Sequence, residues 1–243
     1  MNHVAIITGA SRGIGAATAK LLASNGYAVC VNYRARMDQA EAVVEEIEAS
    51  GGRALAFKAD VSREQDVIAL FNATEQAFGP VTALVNNVGV LLTQSRLVDM
   101  DVERFTRVMA TNVTSCFLCC REAMRRMPDG GAIVNVSSLA ARTGSPFEYM
   151  DYAASKAAMD AITKGLSVEA AEKNIRVNGV RPGFIHTDIH ADGGEPGRVE
   201  RLSPSVPLKR GGQPNEVAHA IEWLLSDKAS YVTGSLLDVA GGK

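Results

Sequence analysis

The run Val4-Ala5-Ile6-Ile7-Thr8-Gly9-Ala10-Ser11-Arg12-Gly13-Ile14-Gly15-Ala16-Ala17-Thr18-Ala19-Lys20-Leu21-Leu22 decides the fold. Its first five residues form a short apolar stretch, the pattern of a strand buried on both faces of a parallel sheet. Its last seven read as helix. Between them stand Gly9, Gly13 and Gly15. Gly9 permits the tight turn. The bare backbone at Gly13 and Gly15 lets a ligand's phosphates come close and lets the helix lie near the sheet. The first N–H groups of that helix, and the positive end of its dipole, then face a pyrophosphate. A glycine triplet at the first strand-to-helix junction predicts a dinucleotide site.

Working outward, the same alternation repeats. Strands are predicted at 28–33, 53–60, 81–87, 132–137, 175–180 and 235–239. Helices are predicted at 38–50, closed by Gly51-Gly52, at 64–78, closed by Gly79-Pro80, and at 101–127, 149–173 and 215–225. Strands alternating with helices mean parallel strands joined by right-handed crossovers. No linker and no internal repeat interrupts the series. Residues 1–243 therefore read as one α/β domain, a doubly wound Rossmann-type parallel sheet of about seven strands with helices on both faces.

Composition excludes several classes. With 243 residues, 47% of them hydrophobic, the chain can bury a full core, yet it has no apolar run long enough to span a membrane. Its net charge of −2 argues against an extended basic face for nucleic acid. The start, Met1-Asn2-His3-Val4, enters an apolar run at once, so no secretory signal is expected. Cys116, Cys119 and Cys120 crowd one predicted helix without a matching histidine pattern. They suit apolar helix positions in a reduced, cytoplasmic setting better than a disulfide or a metal.

Charge suggests which dinucleotide. An acid near the end of the second strand takes the ribose 2′-hydroxyl of NAD. Here that region reads Asn32-Tyr33-Arg34-Ala35-Arg36, with no acid, and Arg12 lies inside the glycine loop. Guanidinium groups suit a phosphate, so Arg12 and Arg34 are expected to clamp the 2′-phosphate of NADP(H). Further on, Tyr152 and Lys156 stand four apart in a helical run, on one face. An ammonium beside a phenol favours phenolate and lowers a pKa that starts near ~10, which readies the phenol for proton transfer.

Several motifs now fall in order: Thr8-x-x-x-x-Gly13-Ile14-Gly15, Asn86-Asn87-Val88-Gly89, Asn112, Ser138, Tyr152-x-x-x-Lys156 and Arg181-Pro182-Gly183. From Val4 to Gly242 the chain resembles the short-chain dehydrogenase/reductase family. That resemblance implies the following roles. Tyr152 is the general acid/base, and Lys156 lowers its pKa and holds the nicotinamide ribose. Ser138 bonds the substrate oxygen, and Asn112 keeps a water in the proton relay. Ser11, Arg12 and Ile14 join the three glycines around the phosphates. Tyr33 and Arg34 flank the adenosine, Asp60 and Val61 touch the adenine, and Asn87 and Gly89 lie beneath the ribose. Pro182, Gly183, Ile185 and Thr187 hold the carboxamide. The sequence departs from the family at Val88, where alanine is usual, and at Ala240, where an acid often stands.

The expected activity is hydride transfer between NADP(H) and a small carbonyl/alcohol substrate. Two alternatives are a 3-oxoacyl thioester reductase and a non-catalytic NADP-sensing protein on the same fold. The stretch 184–207, rich in glycine, proline and charge, is expected to be a substrate lid with His186 and His190 near substrate. Arg125, Arg126 and Lys173 are the candidate patch for an acyl-carrier partner. The resemblance also implies a homo-oligomer, tetramer or dimer, for which Cys116, Phe117, Cys119, Met159 and Ile162 are candidate contacts. No histidine has a metal-ligand partner at suitable spacing, so no metal is expected.

Overall fold

Strand β1 (Val4–Ile7) is buried at every position, and its side chains divide between two cores. Ala5 and Ile7 join one apolar cluster, Val4 and Ile6 the other. Period-two alternation sends successive side chains to opposite faces, so a continuous apolar run is what a strand covered on both sides requires. The structure is a computed structural model that describes residues 3–243; Met1 and Asn2, part of the start read for a signal segment, lie outside them.

The other strands are β2 (Ala28–Tyr33), β3 (Arg53–Lys58), β4 (Ala83–Asn86), β5 (Ala132–Val136), β6 (Arg176–Pro182) and β7 (Leu236–Val239). They form one seven-stranded sheet in the order β3-β2-β1-β4-β5-β6-β7, parallel at each neighbouring pair. The order reverses beside β1, between β2 and β4. That reversal opens a crevice at the carboxyl ends of the strands, where doubly wound sheets bind ligands. Helices α1 (Gly13–Ser24), α2 (Met37–Ala49) and α10 (Pro214–Leu225) cover one face, through Leu22, Ile47 and Ile221. Helices α3 (Glu64–Phe78), α5 (Ser115–Arg126) and α7 (Met150–Glu169) cover the other, through Phe71, Cys119 and Met159.

The helix expected over 101–127 is not one regular α-helix. It runs as α4 (Val102–Met109), then a π-turn over Ala110–Thr114, then α5. A π-turn adds a residue to one turn and re-aims its side chains. Here the re-aimed residue is Asn112, fully buried. Its Oδ1 accepts from the Val90 backbone N–H at 2.8 Å, and its Nδ2 donates to Ser155 Oγ at 2.9 Å. The stretch 184–207 is also more structured than expected. It holds the short helices α8 (Ile189–Asp192) and α9 (Arg198–Leu202). A further short helix, α6 (Ala140–Thr143), precedes α7.

Of the five residues considered for subunit contacts, Cys116, Cys119 and Met159 are buried in this chain's own core and Ile162 packs against it. Only Phe117 among them is exposed. The apolar stripe on these helices was needed to cover the sheet.

Candidate active site

A cavity of about 760 Å³ opens over the carboxyl ends of the strands. It runs from Gly9, Arg34 and Asp60, past Gly89, to Tyr152, Phe184 and Arg198. Ser11, Arg12, Gly13, Ile14, Tyr33, Val61, Asn87, Ser138, Lys156, Pro182, Gly183, Ile185 and Thr187 also line it. Three expected residues do not, and one of them is His186, whose Nδ1 lies 3.6 Å from Glu200. Gly15 lies behind the wall, where a Cβ would come within 2.6 Å of both Asn87 Nδ2 and the Gly9 carbonyl. Its missing side chain serves close packing of helix on loop. Asn112 is likewise behind the wall, within the hydrogen bonds given above.

The glycine loop is held by the next strand's loop. Thr8 Oγ1 accepts from the Asn87 N–H at 2.9 Å, and Asn87 Nδ2 donates to the carbonyls of Thr8 and Gly9, both at 3.0 Å. Gly9 and Gly13 sit at φ of +61° and +56°, a conformation that favours glycine. A Cβ on Gly13 would also press on Thr187 at 3.2 Å. Helix α1 then begins without a side-chain cap, so its first N–H groups are free to meet an anion.

The arginines are not arranged as expected. Arg12 is paired with Asp188, at 3.1 Å, and with Asp192, so its guanidinium faces the start of α8. The expectation of a phosphate clamp rested on local charge alone, and the two carboxylates that take Arg12 lie far along the chain. Arg34 is mostly exposed and 3.8 Å from Asp60. Burial works to raise the Asp60 carboxyl, but hydrogen bonds from Ser62 and the charges of Arg34 and Arg63 hold it below its ordinary value. Arg36 also lines the cavity and forms no ion pair among the described residues. Its signal was present in the base-rich stretch that follows β2. Arg34, Arg36 and the uncapped start of α1 together make a donor set that fits a phosphorylated dinucleotide.

At the other end stand the proton-transfer candidates. Lys156 is 2% exposed, and its Nζ donates to the Val136 carbonyl at 2.8 Å. It sits 5.6 Å from the centre of the Tyr152 ring. Burial pushes the Tyr152 phenol up to about 12, opposed by a hydrogen bond from Ser138. Burial pulls the Lys156 ammonium down to about 8, opposed by the neighbouring Cys116 and Asp160. The lowered phenol expected from helix spacing is therefore absent. Desolvation disfavours the charged form of each group and is the largest cause at both. Tyr149, a second phenol three residues before Tyr152, is buried and donates to the Gly193 carbonyl at 3.4 Å.

A family model described as enoyl-(acyl carrier protein) reductase matches residues 9–243. A solved double mutant of a Serratia marcescens short-chain dehydrogenase/reductase superposes with a TM-score of 0.92 at 37% identity, covering 99% of this chain and 97% of that one. The chain belongs to the short-chain dehydrogenase/reductase family. As a member it is an oxidoreductase. An uncharacterized oxidoreductase of Escherichia coli K12, YgfF, is 58% identical over 245 residues, with 99% of each chain covered. The 3-oxoacyl-[acyl-carrier-protein] reductase FabG of Staphylococcus aureus is 38% identical, covering 100% of this chain and 98% of that protein. A blue fluorescent protein from a metagenomic library, solved with NADPH, superposes with a TM-score of 0.91 at 36% identity, covering 99% of this chain and 97% of that one.

Among the cavity residues of this dehydrogenase/reductase that the sequence does not mark are Arg107, Glu148 and Lys243. Arg198, in the charged stretch 184–207, is buried. Its side chain is only 7% exposed, bonded by Nη1 to Glu148 at 3.2 Å and to Glu195 at 2.8 Å. It also stacks over the Tyr149 ring at 4.8 Å. A charged residue in a glycine-rich stretch carries no sequence signal of burial. Among the described residues, no helix is long and apolar enough to cross a membrane, and no cluster of ligating side chains suits a metal ion.

Proposed function

We propose that this oxidoreductase transfers hydride reversibly between NADP(H) and a carbonyl/secondary alcohol pair. The observation that carries the reading is the convergence of Tyr152, Ser138 and the buried Lys156 at one end of a cavity whose other end is lined by Arg34 and Arg36. When bound, NADP(H) supplies or accepts the hydride. Tyr152 donates a proton from its hydroxyl to the carbonyl oxygen as that oxygen gains charge, and takes it back in the alcohol direction. Ser138 donates a hydrogen bond to the same oxygen. The ammonium of Lys156 replenishes the phenol. Asn112 keeps the relay in register, since its side chain ties the Val90 backbone to Ser155 in the catalytic helix.

For the cofactor, Arg34 and Arg36 hold the 2′-phosphate, with Asp60 and Val61 at the adenine. Gly9, Ser11, Gly13 and Ile14 surround the pyrophosphate, Gly89 lies under the ribose, and Ile185 and Thr187 meet the carboxamide. The segment 184–207 acts as a lid over the substrate. Exposed apolar side chains on α4, α5 and α7 (Val102, Phe105, Phe117, Val168) support a homo-oligomer, which light scattering tests.

Tyr152→Phe is expected to keep NADPH binding and lose nearly all carbonyl-dependent NADPH oxidation. Turnover close to wild type in that variant overturns the assignment, and silence of the wild type across a broad carbonyl panel favours an NADP-sensing role. Likeness to FabG supports a second reading, a 3-oxoacyl thioester reductase. The proposed docking patch counts against it. Arg126 is bound to Glu122 at 2.6 Å and to Glu75 at 3.1 Å, and Lys173 donates to the Met124 carbonyl at 2.9 Å.

A further inference from the structure

Arg104, in α4, reaches two other segments at once. Its Nε donates to Asp151 Oδ2 at 2.7 Å, its Nη2 to Asp151 Oδ1 at 3.4 Å, and its Nη1 to the Thr93 carbonyl at 2.6 Å. The Asp151 side chain is 1% exposed and that of Arg104 15%. Asp151 stands in the first turn of α7, immediately before Tyr152. Its Oδ1 also accepts from the Tyr152 backbone N–H at 2.8 Å. A first-turn N–H has no carbonyl partner inside its own helix, and a carboxylate suits the positive end of the helix dipole.

Asn112, further along the same helical run, makes a bridge of the same kind. It joins Val90 to Ser155, and Ser155 Oγ donates to the Tyr152 carbonyl at 2.7 Å. Both bridges thus cross from the loop after Gly89, at Thr93 and Val90, to the start of α7, at Asp151 and Ser155. Tyr152 lies between the two landing points. One holds its backbone N–H and the other its carbonyl. Leu91 and Leu92, between Val90 and Thr93, line the cavity, so the bridges also brace the wall that faces the phenol's helix.

Stability alone does not explain a charged pair in this place. A buried ion pair adds little over an apolar pair of like size, because desolvation offsets the attraction. What it adds is geometry, since a planar guanidinium on a carboxylate fixes the orientation of both.

We propose that Arg104 is a positioning residue for Tyr152, acting through Asp151 to hold the phenol where it meets the substrate oxygen beside Ser138. This rests on the hydride-transfer reading above. Displacing a reacting group by roughly 1 Å can cost about a hundredfold in rate.

The test counts kcat per NADPH-binding site, so unfolded protein does not register. The ketone is 2,3-butanedione. Arg104→Met alone leaves the Asp151 charge buried and unpaired, so the main probe is the pair variant Arg104→Met with Asp151→Leu. Its NADPH affinity and its KM are expected to stay within about threefold of wild type, while kcat per site falls by roughly tenfold or more. Arg104→Lys, which keeps a cation against Asp151 without the planar fork, is expected to recover part of that loss. A merely structural role would lower the folded yield and leave kcat per site alone. A kcat per site within about twofold of wild type in the pair variant therefore overturns the proposal.

A second measurement needs no turnover. In crystals of wild type and pair variant grown with NADP⁺, the Tyr152 hydroxyl is expected to move by roughly 1 Å relative to Ser138, with the cofactor unmoved. A Tyr152 that stays in place overturns the proposal whatever the rates. If the wild type reduces no ketone and Tyr152 still moves in the variant, the hydride-transfer reading falls and the positioning by Arg104 stands.

Discussion

The ammonium of Lys156 donates to the carbonyl oxygen of Val136 at 2.8 Å. That bond points the charge at the end of β5, beside the phenol rather than onto it. Lys156 is held near 8 and Tyr152 near 12, each by burial first. The phenol therefore keeps its proton across the working range, and the ammonium is the group that titrates. It is charged below about 8 and neutral above. Carbonyl reduction is expected to lose rate as pH rises through that value. A pH profile of kcat/KM that stays flat from 7 to 10 contradicts this.

The same shift has a consequence for stability. The folded pKa of Lys156 lies below the unfolded one, so the unfolded chain holds more protons between about 8 and 10.5. Unfolding free energy therefore rises with pH across that window. At pH 7 the buried charge costs roughly 3 kcal/mol, at 1.36 kcal/mol per pKa unit. Lys156→Met removes the charge but leaves the Val136 carbonyl without its donor. Thermal unfolding at pH 7 is expected to show a more stable, inactive protein, by roughly 1–2 kcal/mol after that loss. A lower midpoint than wild type is the contrary outcome.

Arg12 is held by two carboxylates, Asp188 and Asp192. Replacing both with asparagine frees the guanidinium beside the glycine loop. NADPH is expected to bind several-fold more tightly to the double variant, with NADH changed much less. Fluorescence titration with each cofactor reads the ratio, and an unchanged ratio keeps Arg12 away from the 2′-phosphate.

Arg198 joins Glu195, in the segment 184–207, to Glu148, just ahead of α7. Hydrogen bonds from Arg201 and Arg198 hold the Glu195 carboxyl at about 2 despite its partial burial. Arg198→Met leaves the two acids facing each other without their shared partner. The substrate KM is expected to rise, and trypsin to cut faster at Arg201, with kcat changed less. In the wild type the acid's contribution is full above about 4.5 and is lost as pH falls toward 2. Cleavage and KM matching wild type in Arg198→Met would leave the proposed lid without this clasp.

Local pattern carried much of this site and then stopped. The glycine junction, the buried strands and the Tyr152–Lys156 spacing each lie within a few residues, so they are legible from the chain alone. The π-turn was not. One extra residue in a turn scarcely disturbs an apolar stripe, and neither glycine nor proline marks it at Ala110–Thr114. The fate of Arg12 was hidden for another reason, since its partners come from a segment far along the sequence. The phenol's pKa was misread because spacing reports neighbours, whereas burial is set by every element that closes the cavity.

The ties that hold the glycine loop also bear on the order in which the molecule can be made. Gly9 and Gly13 come earlier in the chain than the segments that hold them. Their conformation leans on Asn87, and Thr187 packs against Gly13. Strand β1 pairs with β4 at Ala5 and Ala83, so the crevice itself waits for the third crossover. A growing chain cannot capture its cofactor early and use that binding to steady the first half. Ligand rescue of a destabilised variant would act on the nearly finished polypeptide, after most of the sheet has assembled unaided.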